Sequence, residues 1–449
     1  MERYEKYKDS GVEWIVEIPE GWEVKKLKYM ANTTLGKMLT NSDKGNYKKR
    51  KYLRAANIEW LNVNISDVKE MWFSDDELKR LRLEEGDLLV SEGGEVGRTC
   101  IWKKELDECY IQNSVHKVTF NSQNNPEYFL NQFFVMGCKG AFDSIVNRIS
   151  IGHLTGEKLK EICFIKPLLT EQIAIAKYLD RKTAEIDELI TQKEWLIEMY
   201  EEEKTAIINQ AVTKGINPDV ETRHALSLRD SGIDWLGEIP EGWELKRLRY
   251  VGSCQNGVSK GADYFGSGFP FVSYSDVYKN LSLPQNVDGL AESTEIDRAN
   301  YSVIKGDVFF TRTSETMEEI GIASTCLESI ENAIFSGFLI RFRPFDSILF
   351  EGFSKYYFRS QLHRFFFVKE MNLVTRASLS QELLKRLPVI LPPIQEQKQI
   401  TSYLDQETNY INAKIAKTKK IIALQKEYRT ALISEVVTGK IKVPQETPL

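Results

Sequence analysis

The chain has 449 residues, 42% hydrophobic and 28% charged, with a formal net charge of −5. That length exceeds what one core usually serves, so two to four domains are expected. The acidic balance argues against a protein that meets nucleic acid alone; a local basic patch or a partner would have to supply the positive charge.

The first element in chain order is a passage that returns. Residues 9–22 read DSGVEWIVEIPEGW and residues 230–243 read DSGIDWLGEIPEGW, identical at ten of fourteen positions. Residues 18–165 then mix strand-like runs (Asp87 to Val90) with short helical stretches (Pro126 to Met136), an α+β module rich in loops. Within it, the segment from Lys37 to Asn57 reads as a basic loop. It carries Lys37, Lys44, Lys48, Lys49, Arg50, Lys51 and Arg54, interleaved with Tyr47, Tyr52, Asn41, Asn46 and Asn57. Cations suit phosphates, and planar amides or guanidinium groups suit base edges. Glu92 to Arg98 (EGGEVGR) is a second loop, whose glycines allow close backbone approach to a ligand. It lacks the GK[ST] ending of a nucleotide-binding loop. Gln112, Asn113 and His116 follow on the next strand-like run, and Arg148 lies just before Leu154.

From Thr170 to about Val212 the pattern is helical. Leu179, Ile186, Tyr200 and Ile207 fall seven apart around a polar Lys193, flanked by Leu189, Ile190, Leu196 and Ile197. This is a coiled-coil seam with a widened face. Leu154 to Ile216 returns as Leu379 to Ile441, so a second helix carries Leu404, Ile411, Ile415, Ile421, Ile422, Leu432 and Val436, with Thr418 and Gln425 in the seam. Each helix spans about 43 residues, roughly 60 Å. Pro167 and Pro392-Pro393 precede them; Gly215 and Gly439 follow. Residues 166–220 hold 7 basic and 11 acidic side chains, and residues 391–445 hold 9 and 5. Opposite charge beside matching seams predicts that the helices pair, and the duplication favours antiparallel pairing.

The second insert, 239–390, resembles the first only in punctuation. Gly306-Asp307 echoes Gly86-Asp87 at the mouth of an apolar strand, and Phe338 to Phe342 reads as another strand. Ile348 to Leu362 reads as helix, and the aromatic run His363 to Phe367 as core. Candidate contacts are Ser259, Lys260 and Tyr264 in a Gly-rich stretch, Tyr274, then Arg312 and Ser314, with Arg376 near Leu379 as Arg148 is near Leu154.

Chemistry is conspicuous by its absence from the motifs. Four dispersed histidines and no Cys/His spacing give no metal site. Neither a GxSxG elbow nor a [DN]PP[YF] methyltransferase signature occurs. Pro218-Asp219 followed by Glu244-Leu245-Lys246 mimics a magnesium-nuclease spacing, but Glu23-Val24-Lys25 repeats the second half alone, so a duplicated strand explains it better. Six scattered cysteines read as reduced thiols. No run reaches the ~18 apolar residues of a membrane span, and MERYEKYKDSGVEW lacks a signal-peptide centre. A cytoplasmic protein without membrane contact is expected.

The SGVEWIVEIPEGW and SGIDWLGEIPEGW entries, the PLLTEQIAIAKYLD and LPPIQEQKQITSYLD passages, and the helix ends AIINQAVTKG and ALISEVVTGK together resemble the specificity subunit of Type I restriction–modification enzymes. The match covers nearly the whole chain; Lys166-Pro167-Leu168 departs from the usual Leu-Pro-Pro. The resemblance implies an α+β fold with two target-recognition domains (1–165 and 221–390) separated by two helical spacers (166–220 and 391–449). The helices would pair as an antiparallel coiled coil with an internal pseudo-two-fold repeat. It implies a non-catalytic subunit reading a bipartite double-stranded DNA target without a metal or cofactor of its own. The implied partners are two modification subunits carrying S-adenosylmethionine and restriction subunits using ATP and Mg. The rival expectations are a self-contained Type II-like restriction enzyme, or a coiled-coil scaffold that touches no DNA.

Overall fold

The structure, a computed structural model, describes residues 2–12, 14–145, 153–216, 227–314, 319–346, 348–370 and 377–444. The chain divides into two compact units, residues 1–194 with 420–449, and residues 195–419. Two helices run through both, Leu169–Lys214 with 46 residues and Ile394–Val437 with 44. At 1.5 Å per residue each is roughly 65–70 Å long. The second begins directly after Pro393 and the first one residue beyond Pro167, and both end before a glycine in the left-handed region, Gly215 (φ 79°) and Gly439 (φ 74°).

In the first unit, the duplicated DSG…EIPEGW passage forms a hairpin of strands Tyr7–Val12 and Ile15–Pro19. Strand Glu23–Lys26 pairs antiparallel with Cys163–Lys166 at the foot of the first long helix. A four-stranded antiparallel sheet orders Ala31–Leu35, Val115–Phe120, Leu88–Ser91 and Thr99–Ile101. Beside it, Lys48–Leu53 lies between Lys69–Phe73, antiparallel, and Tyr110–Ile111, parallel. Tyr52, Leu53, Phe73, Trp102 and Tyr110 fill the core of this part. Six residues of the expected basic loop, Lys48–Leu53, are therefore strand. Tyr52 and Leu53 are buried and anchor it, while the cations before them keep their charged ends in water, so no apolar alternation marked it.

A polar joint fixes the domain to the helix. Trp22 Nε1 donates to Glu171 (3.0 Å), which also accepts from the Tyr4 hydroxyl; burial and that carboxylate push the Tyr4 phenol far above its usual range. The fully buried Gln172 accepts from the Asn125 amide (2.8 Å) and donates to the Pro167 carbonyl (2.9 Å). Gln172→Ala strands both groups, and a loss of about 2–4 kcal/mol in chemical unfolding is expected. A loss below about 0.5 kcal/mol would mean that the joint does not hold the domain.

The second unit repeats this plan. Glu244–Arg247 pairs with Pro388–Leu391. The four-stranded sheet orders Gly252–Asn256, Leu339–Pro344, Val308–Thr311 and Ala323–Thr325. Phe265–Val272 lies between Leu290–Ala291, antiparallel, and Ile334–Phe335, parallel. Trp243 Nε1 donates to Glu396 (3.0 Å), and Gln397 accepts from the Phe350 amide (2.8 Å) and donates to the Pro392 carbonyl (2.8 Å). Inserts that share almost no sequence thus share one topology.

The second unit departs from its sequence pattern at two places. The stretch Ile348 to Leu362 is not one helix: Glu351–Tyr357 ends in a turn closed by Ser360 Oγ on the Tyr357 carbonyl, and Leu362–Glu370 starts anew. In the aromatic run, His363, Phe366 and Phe367 are buried but Phe365 is exposed. His363 sits edge-on against Tyr357 (4.6 Å) with no hydrogen-bond partner for either nitrogen among the described residues. Burial, with Arg364 beside it, lowers its pKa to about 3. The unfolded chain, titrating near 6.5, takes up the proton first. Stability should therefore fall as pH drops from about 6.5 towards 3, by up to roughly 1.4 kcal/mol per pH unit. In His363→Phe this part of the slope should vanish in urea unfolding; an unchanged slope would assign the acid sensitivity elsewhere.

The helices pair antiparallel in each unit. In the first, Arg429 forks onto Asp187 (2.9 and 3.2 Å) and Lys426 meets Glu194 (3.6 Å). In the second, the Lys414 ammonium lies 5.2 Å from the Tyr200 ring centre and Lys204 reaches Asn412 (3.3 Å). Rising numbers on one helix meet falling numbers on the other. Exposed pairs contribute about 0–1 kcal/mol each, so the seam carries the stability. Leu179, Ile186, Ile190, Leu404, Ile411, Ile415, Ile422, Leu432 and Val436 are buried in it; Leu189 leans out, 45% exposed. Thr418 is tolerated inside because its hydroxyl bonds the Lys414 carbonyl (2.9 Å).

Candidate nucleic-acid interface

The loops that carry the candidate residues are tied together by backbone bonds at one end of each sheet. In the first unit, Asn113 N–H donates to the Lys37 carbonyl (2.9 Å) and Gln112 N–H to Leu53 (2.9 Å). Glu92 N–H donates to Ser114 (3.0 Å), and Leu154 N–H returns to the Glu92 carbonyl (2.8 Å). Arg98 joins them through Nη2 on the Ala55 carbonyl (3.0 Å). Gly97, at φ 80°, closes the loop where an added Cβ would lie 2.6 Å from the Phe142 ring.

The second unit builds the same knot from other residues. Gly337 N–H donates to Val258 (2.8 Å), Ser336 N–H to Val272 (3.0 Å), Arg312 N–H to Phe338 (2.9 Å), and Leu379 N–H to Arg312 (2.7 Å). Gly321, at φ 68°, stands 2.6 Å (as a built Cβ) from Phe367. Glu92 and Arg312 therefore occupy one position with opposite charge.

The basic segment is less positive than its sequence. Lys37 is largely buried, paired with Glu77 and 4.5 Å from the Tyr47 ring centre. Lys48 meets Asp75 (2.8 Å), Lys49 Glu70 (3.2 Å), Arg50 Glu108 (3.0 Å), Arg54 Asp67 (2.6 Å) and Arg98 Glu95 (3.3 Å). All but Lys37 are partly exposed, and pairs of this kind are weak enough for a phosphate to replace the carboxylate. Asn41 and Lys44 are exposed. Lys44 has no ion-pair partner among the described residues.

Some candidates are turned inward. Asn57 accepts from the Arg54 amide (3.1 Å) and donates to the Asn64 and Asp67 carbonyls (2.9 and 3.2 Å). His116 is fully buried with Nε2 2.7 Å from the Leu154 carbonyl, and burial lowers its pKa. Their polar atoms brace the loops. In the second unit Ser259 and Lys260 are exposed, Lys260 lying 5.7 Å from the Tyr264 ring centre. Tyr264 donates to Asp297 (3.0 Å), and burial with that bond pushes its pKa up to about 12. Tyr274 stacks on Tyr278 (5.9 Å). Arg312 Nη1 bonds the Gly337 carbonyl (3.3 Å), and the Ser314 backbone pairs with Ala377. Arg148, Arg376 and the Pro218-Asp219 pair lie outside the described residues. Glu23–Lys25 and Glu244–Lys246 each form an ion pair on the same duplicated strand (2.8 and 2.6 Å), which explains the nuclease-like spacing.

Phe338 was missed. It is 62% exposed in the turn before strand Leu339–Pro344, although an apolar residue at the head of an apolar run reads as core. Among the described residues, no group of His, Cys, Asp or Glu is placed to hold a metal, and no helix is long and apolar enough to cross a membrane.

Comparison with known proteins gives the family. The Type I restriction modification DNA specificity domain matches twice, over residues 19–199 and 240–424. The chain is 25% identical to the type I restriction enzyme MjaVIII specificity subunit of Methanocaldococcus jannaschii, covering 95% of this chain and 94% of that one. It is 21% identical to the EcoBI specificity subunit of Escherichia coli, covering 79% and 73%. In fold it is similar to a chain from a solved type I R-M system (TM-score 0.70, 16% identity, 94% and 99% covered). The HsdS subunit of Thermoanaerobacter tengcongensis is also similar (TM-score 0.56, 17% identity, 94% and 98%). Two copies of one domain on a paired-helix frame match that description: the chain belongs to the Type I restriction–modification DNA specificity subunits, the non-catalytic chains of those enzymes.

Proposed function

We propose that this chain reads a bipartite, asymmetric double-stranded DNA target, residues 1–165 one half and residues 221–390 the other. The helical spacers 166–220 and 391–449 set the unread gap. Two modification subunits carrying S-adenosylmethionine methylate adenine within the halves, and restriction subunits using ATP and Mg join that core in the cytoplasm. The supporting observation is one topology built twice with unlike side chains at equivalent loop ends, Glu92 against Arg312 and Asn113 against Gly337. The partners also account for the net charge of −5, since they supply part of the phosphate contact.

A salt titration of DNA affinity tests the interface. In the complex with modification subunits, changing Lys48, Lys49, Arg50 and Lys51 together to Gln should flatten the log K against log salt slope by about 2–4. Affinity near 0.15 M salt should fall by roughly a hundredfold or more. An unchanged slope would favour a scaffold whose first domain does not touch DNA.

A further inference from the structure

One turn occupies the same position in both units. In the first it is Gln112-Asn113-Ser114, in the second Ser336-Gly337-Phe338. The residue after a glycine braces each: Lys37, after Gly36, bonds Asn113 in the turn and Ile111 just before it, and Val258, after Gly257, bonds Gly337 and Phe335. A Cβ on Gly36 would run into the Gln112 carbonyl, and one on Gly257 into the Phe335 carbonyl. The turns are thus held at close quarters to the strand tails.

What they present differs. Asn113 is half-buried, and its side-chain amide makes no hydrogen bond among the described residues. The Ser114 hydroxyl is occupied, accepting from Ala55 N–H (3.0 Å) and donating to Gln112 (3.1 Å). At the next position of the second turn, Phe338 offers a ring that is 62% exposed. Cations flank both turns. Arg98 reaches the Ala55 carbonyl beside the first; Arg312 bonds Gly337 itself, and Lys260 is two residues beyond the Val258 that pins it.

A free planar amide and an exposed apolar ring, each among cations, suit two different ways of reading a base. The amide can bond a base edge in two places, as Asn does with adenine; the ring can meet the 5-methyl group of thymine. We infer that these equivalent turns are the base-reading elements, Asn113 reading by hydrogen bonds in the first half-site and Phe338 by apolar contact with a thymine methyl in the second. This rests on the bipartite reading above.

The test uses the complex of the full chain with its modification subunits, on duplexes carrying the mapped target. Each thymine of the second half-site is replaced in turn by uracil, which lacks only the methyl. One such replacement should weaken the unaltered complex by roughly fourfold, the value of one buried methyl. With Phe338→Ala that penalty should disappear, while replacements in the first half-site act equally on both complexes. Phe338→Leu should restore part of the penalty, which separates lost contact from a damaged fold. Asn113→Ala should relax one base position of the first half only. No uracil effect in the unaltered complex, or the same effect in Phe338→Ala, would overturn the role of Phe338. Unchanged first-half specificity in Asn113→Ala would overturn that of Asn113. If the unaltered complex selects no bipartite target at all, the functional reading fails and this inference with it.

Discussion

Exchanging residues 18–165 for the matching segment of another specificity subunit is expected to replace one half of the target completely and leave the other intact. The physical ground is the joint, which is built from few residues and built twice. Trp22 on Glu171 and Asn125 on Gln172 have counterparts in Trp243 on Glu396 and Phe350 on Gln397. A donor that keeps the Trp and the backbone amide meets an unaltered helix foot, so its loops arrive in their own geometry. Mapping methylated sites for the hybrid checks this. A change in both halves would mean that the domains read the target jointly.

Lengthening the frame should act on the gap alone. Seven residues add about 10.5 Å to a helix, the rise of roughly three base pairs of B-DNA. In the second unit, Lys204 beside Asn412 sets Ile197 near Lys419, so one heptad inserted after each keeps the seam in register. The accepted spacer should grow by about three base pairs with both half-sites unchanged. Two further outcomes are informative. An unchanged spacer would remove the helices from the ruler role, and lost methylation with intact folding would point to modification subunits that no longer fit.

Much of this frame was legible in the sequence because its signals are local. The sevenfold recurrence of Leu179 and Ile186, and of Leu404 and Ile411, fixed the seam, and proline and glycine marked the ends. Leu189 shows where periodicity overreaches, since a widened stripe does not say which flank faces inward. The inserts were opaque for a different reason. Their common topology is carried by backbone bonds and burial, which Glu92 and Arg312, or Leu53 and Val272, satisfy equally well. Charge was misjudged for want of distance. The carboxylates that meet Lys48, Lys49 and Arg50 come from Asp75, Glu70 and Glu108, in segments that only the sheet brings alongside. Asn57 and His116 look like contact residues in a string and prove to be braces, because their bonding partners are carbonyls that no sequence displays.

Two unlike domains in one chain should define one split target. Methylation-sensitive sequencing of DNA from a host carrying this chain with its modification subunit tests it most directly. A single motif in two unlike halves around a fixed gap, methylated on adenine in both, is expected, and it should vanish when the chain is deleted. Methylation that persists without the chain, or a motif with only one half, would contradict it.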